Sequence, residues 1–78
     1  MSNRHIEETV RHSLEDYLRD LGESEPDGMY NMVLQVVEKP LLEIVMRHTD
    51  NNQSKAAQWL GLNRNTLRKK LLEHKLIT

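Results

Sequence analysis

Cysteine and phenylalanine are absent from the 78 residues, which include only three glycines, two prolines, two tyrosines and one tryptophan. Without cysteine, disulfides and thiolate metal ligands are both excluded. No apolar run approaches the roughly 20 residues that cross a bilayer, and the first residues are too polar for a signal peptide. The composition therefore predicts a small cytoplasmic protein with no membrane partner and no cofactor.

The net charge of −1 conceals an asymmetry along the chain. Residues 1–40 hold nine acids and four bases, whereas residues 41–78 hold three acids and seven bases. Residues 64–70, RNTLRKK, contain four bases and no acid. Because a local field depends on where charges lie rather than on their sum, the C-terminal half is expected to bind anions.

Apolar residues at steps of three and four predict a first helix that begins near Arg4 and ends before Gly22. Asp27 is a candidate N-cap for a second helix over residues 28–48. This second helix is apolar nearly all round and contains Pro40, which either breaks or kinks it. A kink is favoured, because the apolar stripe stays in phase across the proline.

One chain of this size has too few other helices to cover such a surface. A two-fold homodimer is the economical solution. Met29, Met32 and Met46 are predicted to fill its core. The predicted interface residues are Leu14, Leu18, Leu34, Val37, Leu41 and Val45.

Residues 52–74 have the anatomy of a helix-turn-helix. Asn52 and Asn63 are predicted N-caps, and Gly61 lies in the turn between the two short helices. Trp59 is expected to be partly buried, and residues 75–78 are expected to fray. Ala57 is small where the two helices must approach, and the small core between them is assigned to Leu60, Leu62, Leu67 and Leu71.

If Leu67 and Leu71 face inward, the last helix turns a basic face outward. Such a face fits the major groove, where arginine pairs with guanine and asparagine with adenine. Helix N-termini favour phosphate, and the paired lysines are expected to contact the DNA backbone. The candidate DNA-binding residues are Asn52, Ser54, Asn63, Arg64, Asn65, Thr66, Arg68, Lys69 and Lys70.

Other readings of these residues are less specific. RNTLRKK alone could be a solvated basic face, and His5, His12, His48 and His74 have no metal-ligand spacing. The acids near His12 are typical of an exposed helical charge cluster. No nucleophile constellation, carboxylate pair or phosphate loop has positional support, so we do not expect an enzyme.

Three segments carry a family resemblance: VEKPLLEIVM (residues 37–46), NQSKAA (52–57) and LNRNTLRKKL (62–71). Over residues 6–72 the chain resembles the Fis family of bacterial nucleoid-associated DNA-bending proteins. The last two segments also resemble the C-terminal domains of enhancer-binding activators. The proline-containing segment is more specific to Fis.

The resemblance implies an all-α fold, a four-helix intertwined homodimer with a C-terminal helix-turn-helix in each chain. Residues 1–78 would form one domain, with dimerisation helices over about 4–49 and the helix-turn-helix over 52–74. It also implies that DNA is contacted by the residues at the family's contact positions, which in this chain are Asn52, Ser54, Asn63, Arg64, Thr66, Arg68, Lys69 and Lys70. Arg64 would be the main base reader, and the closely spaced recognition helices would bend the duplex.

Two departures from the family limit what the resemblance implies. Enteric members carry an N-terminal hairpin arm that stimulates DNA invertases, and the early start of the first helix leaves no residues for it, so recombinase stimulation is not expected. Leu72, Glu73 and Asp50 stand where bases are common, which predicts weaker wrapping of flanking DNA.

The leading functional prediction is a nucleoid-associated architectural protein and transcription regulator that binds and bends duplex DNA. An operator-specific helix-turn-helix regulator without strong bending is an alternative. A helical dimer that presents its acidic first helix to another protein is a weaker one. RNA polymerase is a candidate further partner for that acidic surface.

Overall fold

The computed structural model describes residues 3–78, which fold into four α-helices with no strand among them. The helices are α1 (Asn3–Leu21), α2 (Met29–His48), α3 (Gln53–Leu60) and α4 (Arg64–Glu73). The predicted all-α class is confirmed. Within residues 3–78, no helix is both long and apolar enough to cross a membrane.

The junction between α1 and α2 differs from the sequence prediction at one cap. The first helix ends at Leu21, and Gly22 takes a left-handed φ of 63°, as expected for a helix-stopping glycine. The predicted cap Asp27 is wrong, because Gly28 is the N-cap of α2 at φ 64° and offers no side-chain acceptor. Glycine reaches this conformation without the steric cost that a side chain would add.

Pro40 lies inside α2, and the helix continues through it to His48. A break at this proline, one of the two outcomes left open by the sequence, is therefore wrong. The end of α2 is well bonded, because the buried Thr49 hydroxyl donates to the carbonyl of Val45 at 2.9 Å. The backbone N–H of Thr49 donates to the same carbonyl at 3.0 Å. This end of α2 is where the main core begins.

The core lies between the C-terminal half of α2, α3 and α4. Three leucines, Leu42, Leu67 and Leu71, are almost completely buried there. Ala56 and Ala57 are also buried, and their small side chains let α3 approach its neighbours closely. Met46 completes this core, so its prediction as dimer filler is wrong: its side chain packs within its own chain.

The C-terminal tail closes one side of the core. Lys75 adopts a left-handed φ of 58°, and the N–H of Leu76 donates to the carbonyl of Leu71 at 2.8 Å. This hydrogen bond reverses the chain after α4. Leu76 and Ile77 consequently pack against the buried cluster, and the prediction of a frayed tail is wrong.

The N-terminal half of the molecule is open. α1 contains no buried residue, and an apolar groove of about 480 Å³ runs between α1 and α2. The radius of gyration is 15.0 Å, against about 11.5 Å expected for a compact chain of this length. One chain on its own therefore leaves much of its apolar surface uncovered.

The six predicted dimer residues occupy different environments. Leu14 is half-buried beside the groove, and Val45 packs against the core of its own chain. The other four expose between 43% and 51% of their surface: Leu18, Leu34, Val37 and Leu41.

Candidate nucleic-acid interface

Two asparagine caps and one glycine determine the geometry of the helix-turn-helix. The Asn52 side chain accepts a hydrogen bond from the backbone N–H of Lys55 at 3.1 Å, which begins α3. Gly61 ends α3 at φ 70°, where its N–H turns back toward the carbonyls of Ala57 and Gln58. Asn63 then accepts from the N–H of Asn65 at 2.8 Å and begins α4. All three terminus predictions are confirmed.

The inward face of α4 fixes the rotation of this helix. Leu67 and Leu71 are four residues apart, so they lie one above the other on the same side. Both are fully buried against the α3 alanines. Most of the remaining positions of α4 therefore turn away from the core.

Five of the predicted contact residues lie together on the outward part of α4: Arg64, Asn65, Thr66, Arg68 and Lys69, all exposed. Asn63 is exposed immediately before them, and Asn52 and Ser54 are exposed at the start of α3. Both helix starts in this unit therefore carry exposed polar side chains near free backbone N–H groups, which favour phosphate.

The arginines of α4 differ from those of α1 in their surroundings. In α1, Arg4, Arg11 and Arg19 each lie within 3.4 Å of an acid on the same helix. In α4, Arg64, Arg68 and Lys69 form no ion pair with any acid in residues 3–78. The positive charge of α4 is therefore available to an external anion, whereas that of α1 is locally neutralised.

Lys70 differs from the other bases of α4. It is half-buried, and its Nζ lies 3.0 Å from Oε2 of Glu38 on α2. The other carboxylate oxygen, Oε1, lies 2.9 Å from Nε2 of His74. The hydrogen bonds from His74 and Lys70 lower the pKa of Glu38 below its ordinary value of 4.5, although partial burial opposes them.

Sequence reasoning did not identify Glu38 or its link to His74. Lys70 and His74 are four apart and so share a face of α4, which was a usable signal. Their acidic partner lies more than thirty residues earlier, on another helix, and no local pattern indicates that pairing.

A family model described as "Bacterial regulatory protein, Fis family" matches residues 33–74. The match begins within α2 and includes α3 and α4, the whole helix-turn-helix. It covers more than half of the chain. The chain belongs to the Fis family of bacterial regulatory proteins.

Similarity to Fis-family relatives extends beyond the matched segment into α1. A Fis-like DNA-binding protein of Ralstonia nicotianae is 56% identical over 77 residues, which cover 99% of this chain and all of the relative. A similar protein of Neisseria meningitidis is 57% identical over 72 residues, 92% of this chain and 91% of its own length. The DNA-binding protein Fis of Glaesserella parasuis is 44% identical over 72 residues, 92% of this chain and 74% of the relative.

The single tryptophan of this Fis-family helix-turn-helix lies beside the buried side of α3 and is more exposed than covered. Trp59 was predicted to be partly buried, and 56% of its surface is exposed. The buried side of α3 consists of Ala56 and Ala57, with Leu60 packed beside them. More than half of the Trp59 surface remains accessible to solvent.

Proposed function

We propose that this Fis-family chain binds double-stranded DNA by placing α4 in the major groove. The observation that carries the proposal is the outward face of α4, whose arginines and Lys69 have no acidic partner in residues 3–78. A helix of this size fits the major groove of B-form DNA. The names of the relatives from Ralstonia and Glaesserella support the same function.

The proposed contacts fall into two groups. Arg64 and Asn65 stand at the N-terminal end of α4, the end that most often meets base edges in a helix-turn-helix. Their side chains can donate paired hydrogen bonds to guanine and adenine respectively. Phosphate contacts are proposed for Asn52, Ser54, Asn63, Thr66, Arg68, Lys69 and Lys70.

The same proposal includes a homodimer. The groove between α1 and α2 and the half-exposed leucines of both helices form an apolar surface that a second copy would cover. Exposed apolar surface of this extent on a monomer is typical of an interaction site. A two-fold dimer would present two copies of α4 to the duplex, one in each half-site.

We further propose that the dimer bends DNA and acts in the nucleoid as an architectural protein and regulator of transcription. The family membership supports this finer statement. A circular-permutation assay separates it from an operator reader that leaves DNA straight. Bent complexes would migrate at a rate that depends on the position of the site, whereas straight complexes would migrate at one rate.

Arg68→Ala is expected to weaken binding to every duplex, because Arg68 is proposed to contact phosphate. Fluorescence anisotropy with a labelled duplex over a salt series would give the affinity and its salt dependence. The slope of log affinity against log salt should fall by about 0.9 for each lost contact. A dimer would lose two such contacts.

Arg11→Ala is the matched control, because Arg11 lies on α1 and is paired with Glu7 at 2.8 Å. It removes the same charge far along the chain from α4 and should leave the slope almost unchanged. Equal losses in the two variants would contradict a specific role for α4. Absence of salt-dependent binding by the unmodified protein would remove DNA binding and favour a protein-interaction module.

A further inference from the structure

Glu38 connects the helix proposed for dimerisation to the helix proposed for DNA recognition. Its carboxylate accepts from Lys70 at 3.0 Å and lies 2.9 Å from the imidazole of His74, with a different oxygen for each. Lys70 and His74 are separated by one turn of the α4 region. The Glu38 carboxylate therefore holds the C-terminal end of α4 through two residues, Lys70 and His74.

The three side chains of this contact, Glu38, Lys70 and His74, are partly buried. The exposed fractions of the side chains are 27% for Glu38, 32% for Lys70 and 11% for His74. Within residues 3–78, no other side-chain hydrogen bond connects α2 with α4. The contact therefore adds to the buried Leu67 and Leu71 in holding the rotation of α4 relative to α2.

The pairing leaves Lys70 able to bind a second acceptor. A lysine ammonium has three N–H donors, of which Glu38 occupies one. A free lysine loses considerable rotamer entropy when a phosphate fixes it. In this chain, the hydrogen bond to Glu38 already orders the Lys70 side chain in the absence of DNA.

We propose that Glu38 is a positioning residue for DNA binding, which orients α4 and holds the ammonium of Lys70 where it can meet a DNA phosphate. The inference rests on the proposed function and deepens it. Glu38 itself touches no DNA in this account. It acts through Lys70 and through the fixed rotation of α4.

The proposal predicts an effect opposite in sign to simple electrostatics. Removing an acid from a protein that binds a polyanion should strengthen binding if the net field alone mattered. Loss of Glu38 instead releases Lys70, so the cost of ordering it returns at the moment of binding. That cost is about 0.5–1.5 kcal/mol per immobilised side chain, or roughly two- to twelvefold in affinity per half-site.

Glu38→Gln tests the proposal, because it removes the charge and keeps the shape of the side chain. The matched control is Glu73→Gln, an exposed acid on α4 with no ion pair in the described chain. Anisotropy titrations of both variants with one labelled duplex should show weaker binding for Glu38→Gln only. Its salt slope should stay close to that of the unmodified protein, because Lys70 still reaches the phosphate and only the cost of ordering it returns.

Several outcomes would overturn the proposal. Binding by Glu38→Gln as tight as that of the control would do so. A loss of affinity that is fully explained by a smaller folded fraction, measured by circular dichroism, would also do so. A Glu38→Gln effect of undiminished size in the Lys70→Ala background would also overturn it, because none of the effect would then act through Lys70.

Circular dichroism and sedimentation of each variant would establish that it is folded and assembled. If Glu38→Gln does not fold, Glu38→Asp replaces it, since this change keeps the charge but withdraws the carboxylate from both partners. Glu38→Asp should also bind more weakly, and wild-type binding by it would contradict the proposal. If the unmodified protein does not bind DNA in these titrations, the proposed function fails. If it binds and Glu38→Gln binds equally well, only this inference fails.

Discussion

Leu41→Glu is expected to abolish the dimer and to unfold the chain or leave a destabilised monomer. Leu41 is 49% exposed in a single chain and lies on the apolar face of α2 with Leu34 and Val37. In a two-fold interface the new carboxylate would appear twice, buried and without a partner. An unpaired buried charge costs on the order of 3–5 kcal/mol, a large part of the total stability of a small protein.

Gln35→Glu is the matched control, since it introduces the same charge at an exposed polar position of the same helix. Sedimentation equilibrium would give the mass, and thermal melts at several protein concentrations would give the stability. A dimer melts at a higher temperature as concentration rises. If Leu41→Glu retained the mass and melting behaviour of Gln35→Glu, the apolar face of α2 would not be a dimer interface.

Arg64→Ala is expected to cause the largest selective loss of DNA affinity. Arg64 is the first residue of α4, exposed and without an acidic partner in residues 3–78. A bidentate contact with guanine contributes about 1–3 kcal/mol of discrimination, and a dimer would make it in two half-sites. The loss on a preferred site should therefore reach about 2–6 kcal/mol when both contacts are removed.

Lys69→Ala provides the comparison for Arg64→Ala, because the two bases share one helix but are proposed to play different roles. Both variants would be titrated against a site selected from a random duplex library and against an unselected duplex. Arg64→Ala should reduce the preference for the selected site, whereas Lys69→Ala should weaken both duplexes alike. If Arg64→Ala weakened both duplexes equally, Arg64 would be a phosphate contact rather than a base reader.

The helix-turn-helix was predictable because its signals are local. Asn52 and Asn63 cap helices through hydrogen bonds to N–H groups two or three residues away. Gly61 adopts the left-handed conformation that such a turn requires. Each feature depends on a few neighbouring residues, so sequence alone contains the necessary information.

The division of the α2 surface was not predictable in the same way. Apolar residues surround most of this helix, and the pattern does not state which part packs within the chain and which part remains open. Met46, assigned to the dimer core, packs within its own chain, and Val45 packs partly against the same cluster. The tail was misjudged for a related reason, because Lys75 takes a conformation for which glycine is the usual signal.

The pair formed by Glu38 and Lys70 illustrates the limit of sequence reasoning at the candidate site. The sequence shows that Lys70 is one of the basic residues of α4. It does not show that Lys70 is half-buried, because that depends on α2 lying beside it. Tertiary packing brings together residues that are 32 positions apart. The proposed role of Lys70 at a phosphate stays a prediction, now with a specific partner that can be tested.

The absence of cysteine makes one direct measurement possible. Asn65→Cys introduces a single thiol at the exposed start of α4, and an iron–EDTA group attached there cleaves nearby DNA. The account predicts two separate clusters of cleavage related by the symmetry of one bound dimer, while the same reagent on Glu15→Cys of α1 gives much weaker cutting. Uniform cutting by both reagents, or no cutting by the α4 reagent on DNA that the protein binds, would contradict the placement of α4 in the groove.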